Sequence, residues 1–69
     1  MEIILHTIHC PKCNVLEKKL KNKNVSFIKN TNEEIMKELG IELTPVLEVN
    51  GQLLDFKQAN QWLEEYNGN

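Results

Sequence analysis

Apolar residues recur along the chain in short runs separated by polar turns, and the spacing within each run predicts either a strand or an amphipathic helix. The predicted strands, rich in β-branched and apolar types, are residues 2–8, 25–28, 43–49 and 52–54. Segments with helical spacing begin at Pro11, after Thr31 and after Asp55. The predicted element order is therefore β-α-β-α-β-β-α.

Capping signals mark where these helices begin. Pro11 suits a first helical turn, where its missing N–H is not needed. Thr31 is followed three residues later by Glu34, and Asp55 by Gln58, which are capping-box patterns. The predicted buried faces comprise Val15, Leu16 and Leu20, then Ile35, Met36 and Leu39, then Ala59, Trp62, Leu63 and Tyr66. Residues 67–69 are predicted to be a frayed end.

The order of the elements constrains the sheet. An opening βαβ unit has a right-handed crossover and parallel strands. Asn50-Gly51 predicts a tight antiparallel hairpin between the last two strands. We therefore expect an α/β fold with a four-stranded mixed sheet and helices on both faces. A length of 69 residues predicts one domain, residues 1–69, and we expect a monomer.

Composition and charge narrow the functional classes. Eight lysines, ten acidic residues and no arginine give a net charge of -2, which argues against nucleic-acid binding. No apolar run approaches the roughly 18 residues needed to span a bilayer. The first six residues also lack the basic and long apolar regions of a signal peptide. We therefore expect a cytoplasmic protein that binds no membrane.

Cys10 and Cys13 carry the chemistry that the sequence predicts. A single bridge closing so short a loop is a poor structural staple, which favours reactivity or metal binding. The pair lies between the first strand and the first helix, the position of a dithiol redox motif. At a helix N-terminus the Cys10 thiolate is stabilised, so we predict Cys10 as the nucleophile. Cys13, one turn further in, is the predicted resolving thiol, and no cofactor is required.

The residues beside the cysteines have alternative interpretations. Lys12 favours the Cys10 thiolate by Coulomb attraction, but it is also an ordinary solvated lysine. His9 either stabilises the thiolate and moves its proton, or is an exposed loop side chain.

Two histidines and two cysteines within residues 6–13 are also zinc-type ligands. A metal or iron–sulfur module using Cys10, Cys13 and His9 is the alternative function, and a non-catalytic adaptor is a third. His6 is predicted instead to be a partly buried residue with a satisfied hydrogen bond.

Thr44-Pro45 is the second informative motif. Proline is tolerated at the start of a strand because its missing N–H need not pair there. Base rates alone predict a trans Thr44–Pro45 bond.

Cys-Pro-Lys-Cys after the first strand, the later Thr44-Pro45, the Asn-Gly hairpin and the final amphipathic helix occur together here. Over nearly the whole chain this combination resembles the glutaredoxins and the short glutaredoxin-like thioredoxins. The resemblance implies a thioredoxin fold with sheet order 2-1-3-4 and a cis Pro45 packed beside both cysteines. It also implies that the backbone of Thr44 pairs with an extended substrate segment.

The resemblance further implies a thiol–disulfide oxidoreductase that carries electrons to protein disulfides, ribonucleotide reductase being a partner of some members. Pro11, Lys12, Thr44 and Pro45 are the expected substrate-binding residues, with His9 as a modulator.

Two departures bear on the electron donor. Glutathione-using members carry Gly-Gly and Ser/Thr-Asp-Asp after the last strand, where this chain has residues 55–59. They also carry a Lys at the position of Thr7. We therefore expect a flavoprotein disulfide reductase, rather than glutathione, as the donor.

Overall fold

The computed structural model describes residues 2–66 of the chain. The elements are β1 (Ile3–His6), α1 (Pro11–Asn22), β2 (Ile28–Asn30), α2 (Glu33–Glu38), β3 (Val46–Val49), β4 (Gln52–Leu54) and α3 (Phe56–Glu65). Their order is the predicted β-α-β-α-β-β-α. The predicted frayed end, residues 67–69, lies outside the described residues.

The four strands form one mixed open sheet in the order β2-β1-β3-β4, which is the order that the resemblance implies. β1 is parallel to β2 and antiparallel to β3, and β3 is antiparallel to β4. Asn50 and Gly51 connect β3 to β4 with positive φ angles of 50° and 88°. Both central residues of a type I′ hairpin turn need positive φ, so the predicted Asn-Gly hairpin is confirmed.

The main core lies between one face of the sheet and helices α1 and α3. Alternation along the strands points Ile3 and Leu5 of β1 and Leu47 of β3 into this core. The helices contribute the buried residues Leu16, Leu20, Ala59 and Leu63, with Trp62 and Tyr66 packed at the edge. Val15 was predicted to be buried and is not, since 44 % of it is exposed.

The end of α1 explains why the second strand begins later than predicted. Asn24 has a φ of 58°, and its N–H donates to the carbonyl of Lys21. The N–H of Val25 donates to the carbonyl of Leu20 at 3.0 Å. These two bonds form a Schellman cap, which uses the Val25 N–H to end the helix rather than to join the sheet. The prediction of a strand over residues 25–28 is therefore wrong, and the pairing of β2 with β1 starts at Ile28.

Helix α2 differs from the prediction at its first residue and in its buried face. Asn32, not Thr31, is the cap, because the Asn32 side chain accepts the N–H groups of Glu34 and Ile35. Ile35 and Leu39, predicted to be buried, are 43 % and 42 % exposed. They lie one turn apart on the same face, whereas Met36 points about 100° away from Ile35. Burial of Met36 therefore turns the Ile35–Leu39 face outward.

Ion pairs of Glu17 also connect helix α1 to β2, the strand at one edge of the sheet. The carboxylate of Glu17 lies 3.2 Å from Lys21 Nζ and 3.0 Å from Lys29 Nζ, on β2. The hydrogen bond from Lys29, more than any other contact, holds the pKa of Glu17 below its ordinary value. No helix within residues 2–66 is long and apolar enough to cross a bilayer.

Candidate redox site

The site is built on the N-terminus of α1. Cys10 has extended backbone angles (φ -77°, ψ 166°) and caps the helix, and Pro11 occupies the first turn, as the sequence predicts. The backbone N–H of Cys13 donates to Cys10 Sγ at 3.2 Å. The N–H of Asn14 closes the first helical turn onto the Cys10 carbonyl at 2.9 Å. The Cys10 sulfur therefore lies where the free amides and the helix dipole favour negative charge.

Cys10 and Cys13 are joined in a disulfide, with 4.9 Å between their Cα atoms. Cys13 is fully buried, whereas Cys10 is partly exposed. An external thiolate therefore reaches the Cys10 sulfur more easily than the Cys13 sulfur. After reduction, the same asymmetry gives one accessible sulfur and one shielded sulfur held a single turn away.

Thr44 and Pro45 are brought to this disulfide by the sheet. Pro45 is buried just before β3, and the Thr44–Pro45 peptide bond is cis. The trans bond expected from base rates is wrong, and the cis bond is the one that the resemblance implies. The carbonyl oxygen of Thr44 lies 3.9 Å from Cys10 Sγ. β3 starts only at Val46, so the predicted strand over residues 43–49 is shorter than expected and leaves Leu43 84 % exposed.

Thr7 holds the segment between β1 and Cys10 in place through two hydrogen bonds. The sequence draws attention to Thr7 only because it stands where glutathione-using glutaredoxins carry a lysine. Thr7 is fully buried, and its N–H donates to the carbonyl of Asn30 at 3.0 Å. Its hydroxyl accepts the N–H of His9 at 3.0 Å. His9 has a φ of 63° and is exposed. The exposed His9 side chain is compatible with both of its interpretations, and its backbone helps to direct the chain into α1.

Lys12 packs against an aromatic ring that the sequence did not suggest as its partner. Its ammonium lies 5.5 Å from the centroid of the Phe56 ring, at the first position of α3. This cation–π contact bridges the N-termini of α1 and α3. Because Lys12 and Phe56 are far apart in the sequence, no pattern of neighbouring residues predicts this contact.

The polar groups at the start of α3 are satisfied by one another. Asp55 Oδ1 accepts the N–H of Gln58 at 2.7 Å, and Gln58 Oε1 accepts the N–H of Asp55 at 3.0 Å. The predicted capping box is therefore confirmed. Phe56, inside this box, is covered by Lys12.

His6 is buried, and its ring bonds to the partly exposed side chains of Glu48 and Asn30 rather than to the cysteines. It is 2 % exposed, and its Nε2 lies 2.9 Å from Glu48 Oε1. The Asn30 amide donates to Nδ1 at 2.9 Å, which places the ring proton on Nε2, facing Glu48. The predicted hydrogen-bonded role is confirmed. Within residues 2–66, His, Cys, Asp and Glu side chains form no group of three or more suited to a metal ion.

The reduced protein is expected to react with iodoacetamide first at Cys10, and at pH values well below 8.5, the ordinary pKa of a thiol. The helix N-terminus stabilises the Cys10 thiolate, whereas Cys13 is buried. Timed alkylation at a series of pH values, with peptide mass spectrometry, should show Cys10 reacting at least about tenfold faster. Equal rates at the two cysteines, or no reaction of Cys10 until pH exceeds 8.5, would contradict this expectation.

Comparison of the chain with protein-family models, with curated proteins and with solved structures finds no significant match. The functional interpretation therefore depends on the disulfide, its place on α1 and the neighbouring Thr44–Pro45 segment.

Proposed function

We propose that the protein is a dithiol–disulfide oxidoreductase with a thioredoxin-like fold, acting as a glutaredoxin-like electron carrier that reduces protein disulfides. The observation that carries this proposal is the asymmetric disulfide, with Cys10 partly exposed at the N-terminus of a helix and Cys13 fully buried. A structural staple has no need of that asymmetry. A reducing role also fits a cytoplasmic location, where protein thiols are kept reduced.

The reaction begins from the reduced protein. The Cys10 thiolate attacks one sulfur of the substrate disulfide, a new S–S bond forms, and the displaced substrate sulfur leaves as a thiolate that takes a proton from water. Cys13 then attacks Cys10 Sγ as a thiolate, the Cys10–substrate S–S bond breaks, and the second substrate sulfur leaves as a thiolate that takes up the proton lost by Cys13. Two electrons pass to the substrate, and the protein is left with the Cys10–Cys13 disulfide seen in the structure.

Thr44 and Pro45 are the proposed docking residues for the substrate backbone. The Thr44 carbonyl lies 3.9 Å from Cys10 Sγ, so an extended segment paired with Thr44 presents its own sulfur to Cys10. Pro11 and Lys12, on the first turn of α1, form the neighbouring rim of this surface.

The proposed electron donor is an NADPH-dependent flavoprotein disulfide reductase rather than glutathione. Three features support this choice. Thr7, at the position of the family lysine, is buried, and its hydroxyl already accepts a hydrogen bond. Asp55 and Gln58 satisfy one another in the capping box, and Phe56 is covered by Lys12. One oxygen of Asp55 and the amide oxygen of Gln58 are therefore already used inside the capping box, and no family Lys or Asp pair stands ready for glutathione.

NADPH consumption with insulin as the disulfide substrate tests both parts of the proposal. We expect thioredoxin reductase to support turnover at least about tenfold faster than glutathione with glutathione reductase, because unmatched polar contacts discriminate strongly. Faster turnover with the glutathione couple would overturn the choice of donor only. Failure of the dithiothreitol-reduced protein, freed of reductant, to reduce insulin stoichiometrically would overturn the oxidoreductase itself.

A further inference from the structure

A depression of about 340 Å³ lies between Thr44 and the α2 region, on the surface near the candidate site. Ile8 and Thr44 border it, and α2 with the segment that follows contributes Met36 and Ile41. Ile8 is 51 % exposed although it is a large aliphatic residue two positions before Cys10. The Thr44 carbonyl, near Cys10 Sγ, connects the depression to the reacting sulfur. A polypeptide that pairs with Thr44 and presents a disulfide to Cys10 therefore passes next to this depression.

The apolar lining is held in place by backbone structure. Gly40 adopts a φ of 80° at the end of α2, and the N–H of Ile41 donates to the carbonyl of Met36 at 2.9 Å. This Schellman cap folds Ile41 back toward Met36. On the other side, Ile8 is the middle residue of the tight turn in which the Thr7 hydroxyl accepts the His9 N–H. The lining is therefore formed before any ligand arrives.

The charge around the depression is predominantly negative. Glu33, Lys37 and Glu42 line it together with the apolar residues. Residues 33–42 contain Glu33, Glu34, Glu38 and Glu42 against the single basic residue Lys37. The helix that begins at Cys10 has the opposite character, since α1 contains four lysines and one glutamate. The site thus has an acidic side at the depression and a basic side at α1.

We propose that this depression receives an apolar side chain adjacent to the substrate cysteine, and that Glu33 and Glu42 favour substrates with Lys or Arg next to that apolar residue. The inference rests on the proposed disulfide reduction. It specifies the substrate class as polypeptide segments in which the cysteine is followed by an apolar residue and then by a basic one. An aliphatic side chain loses contact with water against Ile8, Met36 and Ile41. A neighbouring cation complements the two carboxylates.

Four short peptides test the inference, each with one cysteine held in a mixed disulfide with 2-mercaptoethanol. They carry either Leu or Gly next to the cysteine, followed by either Lys or Glu. Single-turnover rate constants with the reduced protein should be about tenfold higher for Leu than for Gly. The Lys peptides should react about threefold faster than the Glu peptides at low ionic strength, with the difference lost at about 1 M salt.

Two variants and two matched controls assign these effects to the depression. Ile8→Ala should reduce the Leu preference, and Glu42→Gln should reduce the Lys preference. Ile28→Ala removes a residue that is 59 % exposed on β2, and Glu65→Gln a carboxylate at the end of α3, so both should retain the preferences of the unaltered protein.

Equal rates for the Leu and Gly peptides with the unaltered protein would overturn the inference, as would identical losses in Ile8→Ala and Ile28→Ala. A rate for the Leu peptide that falls steeply as protein concentration rises would show that a second copy covers the depression, which also overturns it. Reduction of none of the four peptides would instead remove the proposed function on which the inference depends.

Discussion

Replacing Cys10 with Ser is expected to abolish disulfide reduction, whereas replacing Cys13 with Ser is expected to leave the first step intact and trap a mixed disulfide. Cys10 is the partly exposed sulfur at the N-terminus of α1, and Cys13 is fully buried. Without Cys10, no stabilised thiolate is presented to the substrate. Without Cys13, the bond between Cys10 and the substrate has no resolving thiol within reach. Insulin reduction should fall at least about a thousandfold in Cys10→Ser, toward the uncatalysed rate.

The trapped species gives this prediction a positive readout as well as a loss. Cys13→Ser, mixed with an oxidised peptide, should gain the mass of one peptide chain, and reductant should reverse the gain. Cys10→Ser supplies the matched control, because its remaining thiol is shielded and should gain no mass in the same period. Full activity of both single variants would contradict the assigned roles. A mixed disulfide that forms on Cys13 rather than Cys10 would reverse them.

The burial pattern explains why the two cysteines have different expected roles although they are only three positions apart. Cys10, as the helix cap, lies where the chain is still extended and open to solvent. Cys13 is one turn into α1, on the same helix as the buried Leu16 and Leu20. The helix therefore exposes one sulfur to partners and shields the other among its core residues. This separation suits sequential attack, in which the second thiol must act only after the first has reacted.

Local signals in the sequence predict much of the fold. The Asn50-Gly51 pair specifies a hairpin because both residues tolerate positive φ. Asp55 and Gln58 specify the start of α3 through bonds within a single turn. Cys10 followed by Pro11 specifies the start of α1 in the same way. Each of these signals is contained within a few neighbouring residues, so no knowledge of the rest of the fold is needed.

The wrong predictions concern places where two local structures compete for the same residues, or where contacts with distant parts of the chain determine which side of a helix is buried. Val25 looks like a strand residue, but its N–H is used to end α1. Thr31 and Asn32 are both capping residues, and the cap forms at Asn32. The orientation of α2, which buries Met36 and exposes Ile35, depends on the surface it meets. Propensities alone do not rank such alternatives.

The candidate site shows the same division. Its cysteine pair and helix cap are local and are predicted, whereas its surroundings are tertiary. The contact of Lys12 with Phe56 joins two helix N-termini, and the approach of Thr44 to Cys10 depends on the pairing of β1 with β3. The depression beside Ile8 is lined by residues of α2 and of the segment after it, which are distant from Ile8 in the sequence. Sequence reasoning thus finds the chemistry, and the folded chain supplies the candidate determinants of specificity.

Leu16→Ala is expected to lower the free energy of unfolding by about 3 kcal/mol, whereas Val15→Ala, one residue earlier, should change it by less than about 0.5 kcal/mol. Leu16 is fully buried in the core between α1, α3 and the sheet, so its truncation leaves a cavity. Val15 is 44 % exposed, and the better helix propensity of Ala offsets its small loss of contacts.

The effect should be large because a domain of this size rarely has more than about 3–5 kcal/mol of stability from its core. Urea unfolding of the oxidised proteins, followed by circular dichroism, should give a much lower midpoint for Leu16→Ala and nearly the original midpoint for Val15→Ala. Similar midpoints for the two variants would show that α1 does not pack on the sheet through Leu16. In that case the helix that carries both cysteines would lack the anchor that aligns Cys10 with Thr44, and the geometry argued for the redox site would fail with it.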